Sequence, residues 1–487
     1  MNSANDHPEP EHENIKIEVS GVETYNPLPA NAPPEEQIEY RWYMEQAVLL
    51  LSALKWTALA GAVGIVAGLG VKIYLFLLRS TSLKTISIGH FALPAYWLLP
   101  LSLPLCVLIV KTFARGETGE TMEGTDEVIT AIHNESGRIK SLQIPIRLLA
   151  NIITLATGGS VGKEGPAAQI GAAVASVLAS VIQLTDDDRR RLVICGVGAG
   201  FAAVFGTPVS GALFGVEVLY MGKLEYPVLF PCIVAGLVAH LACGVSPPGE
   251  GVLHISISQP ELVLISLISG LAFGLIALLL IETMRLTDSL LVRFRGNPYL
   301  VAAAGGFSLA LLYLMSSGSY MGLGQPVINA ALQGTAVISL AAFLVKIFAT
   351  SISLKTGGVG GIMTPIFFIG STSGAALATM FHQPPALLAR FGFVAMVAAA
   401  ANTPIAAIVM ALELMGGHLG VYAALSACAA YLIVGHRSVF AAQRLGYSKS
   451  AGLLPTLDIP MGDVYASEQK LRAGNLLETF VEYLKRR

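Results

Sequence analysis

Charge is what this chain has least of. Only 13% of its 487 residues are Asp, Glu, Lys or Arg, while 54% are hydrophobic. A soluble protein carries about 25% charged residues. The shortage excludes a soluble globular class and leaves a polytopic membrane protein. An excess of positive charge is also missing. The net charge of −2 gives no basic footprint, so no nucleic-acid partner is expected. The five cysteines, Cys106, Cys195, Cys232, Cys243 and Cys428, lie in apolar segments without a CxxC pair. They read as buried free thiols, which excludes a disulfide framework or a zinc site. The nine histidines contain no HExxH. No nucleophile–base pair and no metal-ligand set falls inside the apolar segments. The chain is therefore not expected to be an enzyme, and neither a metal nor a cofactor is expected.

Two glycine-rich stretches fail as nucleotide motifs. GGSVGKE, 158–164, misses the phosphate-loop spacing by one residue and has Glu164 where Ser or Thr is required. GVGAGF, 196–201, ends in Phe where a dinucleotide fingerprint needs Gly. The N-terminus has neither a signal peptide nor a basic transit peptide. Residues 1–42 read as a polar, flexible tail, 43–442 as one transmembrane domain and 443–487 as a short polar tail. About 45 residues are too few for a typical domain with its own core.

Uniform 20-residue spans are scarce too. Stretches 49–79, 93–112, 226–244, 260–281 and 299–316 are long enough to cross a bilayer. The others are short and interrupted by Gly, Pro or charge: 145–157, 166–184, 191–206, 208–221, 364–380, 389–401, 404–416 and 419–435. Broken helices at membrane depth survive where they are buried in protein or line a cavity. The pattern predicts an all-α polytopic membrane protein whose partial helices meet near the midplane, as in transporters.

What is present repeats. Offset by 199 residues, GGSVGKEGPAAQIG at 158–171 falls on GGVGGIMTPIFFIG at 357–370. Offset by 196, TPVSGALFGVEVL at 207–219 falls on TPIAAIVMALELM at 403–415, and Glu217 meets Glu413. Two homologous halves are predicted, about 50–245 and 255–440. Each first motif is a glycine-rich break followed by Pro and a helical run. That is a helix start, with unpaired N–H groups and about half a positive charge. It is an anion site made of backbone. Glu164 stands on one such start, and the matched start, GIMTP, has no charge. Its carboxylate can act as a tethered competitor for the anion, released by protonation. The alternative is a structural ion pair, for which the adjacent Lys163 is badly placed on a helix.

These motifs resemble the CLC family of chloride channels and chloride/proton antiporters. GKEGP (162–166), GIMTP (361–365) and the two Thr-Pro helices match its signatures in order, over roughly residues 50–445. The resemblance implies an inverted repeat of tilted, partial helices. It implies a homodimer in the cell (inner or plasma) membrane, one anion pathway per subunit, and both termini in the cytoplasm. Protons are a further possible partner. It makes Glu164 the gating glutamate, and Lys163, Gly165, Ile362, Met363, Phe440 and Thr125 the anion-binding positions. An unrelated inverted-repeat solute carrier would have no reason to place a glutamate on only one of two matched helix starts. The paired nucleotide-binding repeats of some relatives are not found after the membrane domain, so adenine-nucleotide regulation by that route is not expected.

Departures from the family pattern narrow the expectation. The usual GSGIP is replaced by MEGTDEVITAI, 122–132, so Glu123 or Thr125 takes the serine's place. Thr125 is preferred, because a carboxylate would repel the anion. Phe440 replaces a tyrosine, so no hydroxyl donates there; loss of the serine and tyrosine hydroxyls leaves chloride, nitrate and fluoride open, with chloride the family default. Met363 replaces a phenylalanine that contributes only its N–H. Val218 follows Glu217 where antiporters usually keep an inner proton glutamate, which points to passive conduction. The rival is a proton detour through water, Glu123 or Glu127. Glu217 and Glu413 read as structural helix glutamates. Arg147, Lys346 and Lys355 either raise potential along an anion entrance or snorkel at the interface. Glu282 and Arg285 read as interfacial, and DDDRRR, 186–191, as a solvated loop.

Overall fold

The computed structural model describes residues 42–81, 85–88, 91–113, 123–249, 253, 257–294, 296–316, 318–450, 452–464 and 470–471. The expected N-terminal tail lies almost wholly outside them. The chain divides into two units, Met1–Ser52 and Ala53–Arg487. Of the first, only the start of helix α1 (Trp42–Ser80) is described.

The second unit is almost entirely helical. After α1 come α2 (Leu99–Phe113), α3 (Gly124–Asn134), α4 (Ile144–Ala156), α5 (Glu164–Val181), α6 (Asp186–Phe205), α7 (Pro208–Glu217) and α8 (Tyr226–Cys243). The second half holds α9 (Gln259–Leu291), α10 (Pro298–Met315), α11 (Gln325–Gln333), α12 (Ala341–Lys355), α13 (Met363–Phe381), α14 (Pro385–Ala400) and α15 (Pro404–Val434). Seven helices among the described residues are long and apolar enough to cross a membrane. The protein is an all-α, multi-pass membrane protein. Its broken segments are real breaks: α7 has 10 residues and α4 has 13, about 15–20 Å of helix against about 30 Å of hydrocarbon. Proline in the first turn starts α4, α7, α8, α14 and α15, where its missing N–H costs nothing. Gly416, at φ 72°, splits α15 into the two pieces that the sequence suggested.

The buried core runs through α5, α6, α13 and α14. Small residues let these helices approach closely, the usual substitute for hydrophobic driving force in lipid. A side chain on Gly171 would strike the carbonyl of Gly196, and one on Gly370 would strike the carbonyl of Gly392.

The halves are locked by reciprocal caps. Glu217, at the end of α7, accepts the N–H groups of Ile405 (3.0 Å) and Ala406 (2.8 Å) at the start of α15. Glu413, in α15, accepts those of Val209 (2.9 Å) and Ser210 (3.0 Å) at the start of α7. Each donor pair is related to the other by the 196-residue offset that relates the two glutamates. Such symmetry requires the two short helices to run antiparallel.

Two expectations are corrected. DDDRRR is not a loop: it is the first turn and a half of α6, capped by Thr185 Oγ1 accepting the Asp188 N–H (3.2 Å). Its acidic first turn suits the positive end of the helix dipole, and its arginines are paired, Arg190 with Glu225 (2.5 Å) and Arg191 with Asp187 (2.7 Å). The chain after 442 is also not simply a tail. Strand β1 (Tyr220–Met221) pairs in parallel with β2 (Arg444–Leu445), and Leu445, Met461 and Val464 are buried.

Glu413→Ala should destabilise the protein by about 1–3 kcal/mol for each of the two amides it uncovers, and Glu413→Gln by less, since one acceptor oxygen remains. Thermal unfolding in detergent checks this. Equal midpoints for the Ala variant and the parent would mean the cap contributes nothing.

Candidate anion site

The site is assembled from two matched loops. Gly158 (φ 98°) and Gly357 (φ 115°) turn the chain out of α4 and α12 through a conformation that suits glycine. Each loop is then held by the opposite half. Ser160 N–H donates to Ser353 Oγ (3.0 Å), and Val359 N–H donates to Thr154 Oγ1 (3.3 Å). The loops meet where Gly162 and Gly361 exchange both backbone hydrogen bonds, at 2.5 and 3.0 Å. These two glycines are 199 residues apart, the repeat offset itself. A Cβ on Gly162 would collide with the Gly361 carbonyl and the Glu164 carboxylate. One residue earlier, Gly360 accepts the Gly124 N–H at 3.4 Å. The starts of α3, α5 and α13 are thus tied together by backbone, and their unpaired N–H groups share one neighbourhood.

Glu164 is the first residue of α5 and is 1% exposed. Its carboxylate crosses to the other half. Oε2 accepts the Thr364 N–H (3.0 Å), and Oε1 accepts the Thr364 hydroxyl. A carboxylate therefore sits on the start of α13. It lies against a cavity of about 680 Å³, which Lys163, Arg79 and Thr364 also line. Lys163 caps α5 in sequence but makes no ion pair with Glu164 among the described residues.

The other predicted positions are buried. Gly165 packs against Gly361, and Ile362 and Met363 begin α13, fully buried. Glu123 and Thr125 both lie at the start of α3. Glu123 Oε2 caps that helix by accepting the Asp126 N–H (2.6 Å); its Oε1 and the Thr125 hydroxyl have no hydrogen-bond partner among the described residues. Phe440 is fully buried, edge-on to Phe214 at 6.4 Å. Just beyond it, the Ala441 and Ala442 N–H groups donate to Asp126 at 3.2 and 3.0 Å. Val218 is fully buried at the end of α7.

The sequence model described as voltage gated chloride channel matches residues 102–435. The chain belongs to that family. It is 37% identical to the chloride/fluoride channel protein of Pseudomonas syringae pv. tomato, over 86% of this chain and 93% of that one. It is 29% identical to the voltage-gated ClC-type chloride channel ClcB of Citrobacter koseri, over 58% of this chain and 70% of that one. Among solved structures, a CLC-type fluoride/proton antiporter superposes with a TM-score of 0.71 at 28% identity, over 84% of this chain and 100% of that one. A slow cyanobacterial Cl−/H+ antiporter shares the fold, with a TM-score of 0.64 at 21% identity, over 78% of this chain and 94% of that one.

The charges of this CLC protein are placed otherwise than snorkelling would have them. Arg147 is 5% exposed and pairs with Glu127 at 2.9 Å, so Arg147 does not reach an interface; Glu127 is half-buried and is committed to that pair. Gln169 Nε2 donates to the same Glu127, at 2.8 Å. Lys346, the repeat equivalent of Arg147, is 0% exposed. It donates to the carbonyls of Tyr320 (3.2 Å) and Gly322 (2.5 Å) and lies over the Phe368 ring. Lys355 ends α12, half-buried. Glu282 pairs with both Arg285 (3.0 Å) and Arg437 (2.9 Å).

The sequence did not single out Thr364, Asp126, Tyr74 or Asn151. Asn151 had a signal: it is the one amide side chain in the apolar run 145–157, and such a group must find partners.

Substituting Glu164 by Gln or Ala should remove the pH dependence of anion flux in proteoliposomes and leave flux itself intact. Undiminished pH dependence in both variants would take the gate away from Glu164.

Proposed function

We propose that this CLC-family protein moves chloride or fluoride passively, through one pathway per subunit of a homodimer, with Glu164 as the gate. The observation that carries this reading is the Glu164 carboxylate on the Thr364 N–H and hydroxyl. An anionic group held by a helix start marks a place that a free anion can take. Protonation would discharge the carboxylate and free the start of α13. The uncharged partner loop and the amides of Gly165, Ile362 and Met363 would then hold the ion. Binding without a full counter-charge suits conduction, since the ion must also leave. Arg79 and Lys163 at the cavity raise the local anion concentration.

Passive conduction is favoured by Val218. A buried valine neither titrates nor holds water, and a proton in apolar protein needs one or the other. The relative named as a chloride/fluoride channel, over 93% of its length, supports the same choice. The missing Phe440 hydroxyl leaves chloride, fluoride and nitrate open, and the relative named a chloride/fluoride channel protein favours the first two. The same reading puts both termini in the cytoplasm, a side that the basic residues of the C-terminal segment support. A second reading, proton-coupled exchange, is favoured by the antiporter among the solved relatives and by Glu123, a buried carboxylate with one free oxygen.

The reversal potential in liposomes with opposed anion and pH gradients separates the two. It should sit at the anion equilibrium potential and ignore pH; a fixed displacement with the proton gradient would establish exchange instead. Phe440→Tyr should strengthen chloride binding by a few-fold to about tenfold, the worth of one added hydrogen bond. Calorimetry showing no gain would remove Phe440 from the anion's surroundings.

A further inference from the structure

We propose that Asn151, held by Tyr74, is a positioning residue that fixes the Glu164 loop against the opposite half and so sets the pH at which the pathway opens. This rests on the reading of Glu164 as the gate.

Asn151 lies in α4 and is 0% exposed. Its Nδ2 donates to the carbonyl of Gly162 (3.3 Å) and to that of Val359 (2.8 Å). Its Oδ1 accepts the Tyr74 hydroxyl at 2.6 Å. One amide thus clips the loop that carries Glu164 to the loop that carries Met363. All three contacts are inside the protein, and both hydrogens of the amide nitrogen are used. The Gly162 carbonyl is already bonded to the Gly361 N–H at 3.0 Å, so Asn151 adds a second bond at the two-fold contact itself. No water is needed to complete the set.

The clip breaks the symmetry of the repeat. The residue 199 places on is Thr350, whose hydroxyl meets Ser160 Oγ at 2.9 Å and reaches neither loop carbonyl. The Gly162–Gly361 exchange and the crossed bonds from Ser160 and Val359 do match between the halves. Asymmetry therefore occurs twice in one place: the only carboxylate on a matched helix start, and an amide that secures the loop two residues before it. The Thr364 N–H is a fixed target. A small shift of Gly162 would move Glu164 along that target and weaken its hold on the charged carboxylate.

Several charged or titratable groups surround Glu164. Tyr74 and Lys163 interact with it electrostatically. Arg79 of α1 shares the cavity. Glu123 of α3 adjoins Gly360. Arg147 of α4 is neutralised by Glu127, α6 has its charges only in its first turns, and α13 has none in its sequence. Of these only Tyr74 is changed by substituting Asn151, since its hydroxyl loses its acceptor; Tyr74→Phe measures that contribution by itself, so the shift beyond it reports loop position.

The test is the pH profile of anion efflux from proteoliposomes for Asn151→Ala, Tyr74→Phe and Glu164→Gln, and for Asn151→Ala combined with Glu164→Gln. Weaker seating of the carboxylate makes it easier to protonate. The midpoint for opening should therefore move to higher pH in Asn151→Ala, by about 0.5–1 unit, the equivalent of one lost hydrogen bond. Tyr74→Phe should move it in the same direction by less, because both donor bonds of Asn151 remain. In the Glu164→Gln background the Asn151 substitution should change no pH response. An unchanged midpoint in Asn151→Ala, with flux lowered equally in both backgrounds, would overturn the proposal and leave Asn151 a packing residue. Should Asn151→Ala yield no folded protein, Tyr74→Phe decides: a midpoint equal to the parent's overturns the proposal. A Glu164→Gln protein that keeps its pH response defeats the gate reading itself, an outcome distinct from either.

Discussion

Helix starts in the interior of a membrane protein leave N–H groups that no solvent will satisfy, and this fold brings them to acceptors on the opposite half of the chain. Glu217 covers the start of α15, Glu413 the start of α7, and Glu164 the start of α13. Once the hydrocarbon excludes water, every such amide needs a named partner. The partial helices, the antiparallel relation of the halves and the closeness of the glycine loops all follow from satisfying that need twice over. Two of these three caps are mirrored by a partner in the other half. The third, Glu164, is not: its carboxylate lies on the Thr364 N–H and hydroxyl, at a helix start whose own loop has no charge.

The glycine loops show why the repeat has to be close to symmetrical and yet not identical. The exchange of hydrogen bonds between Gly162 and Gly361 works only if neither has a side chain. The crossed bonds from Ser160 and Val359 hold the loops at one separation. Within that frame the two halves spend their few polar residues differently. The first places Glu164 and Asn151 at the contact, and the second offers Thr364 and backbone. Buried cations differ in the same way, with Arg147 neutralised by Glu127 and Lys346 held only by carbonyls and a ring face.

The expected architecture was legible because membrane burial leaves coarse marks. Long apolar runs gave α1, α8, α9 and α10; Gly and Pro gave the breaks; the matching Thr-Pro and glutamate positions exposed the repeat. Two features were misjudged for one reason: a charge near an apolar segment says nothing about its partner. The six charges at 186–191 belong to a capped helix start whose ion pairs come partly from Glu225 and Lys55. Arg147 and Lys346 are buried because acceptors distant in sequence wait for them.

The sequence by itself determined the membrane class, the partial helices, the two halves and the lone carboxylate on one of two matched helix starts. These are properties of composition and of local spacing, which need no partner to be read. Only the tertiary structure decided that Glu164 is seated on Thr364, that Glu217 and Glu413 cap each other's helices, that Asp126 covers the amides after Phe440, and that Asn151 spans both loops. Apart from the Asn151–Gly162 bond, each of these joins residues from 188 to 316 positions apart, and a hydrogen bond depends on where the two groups are brought, which the fold alone specifies.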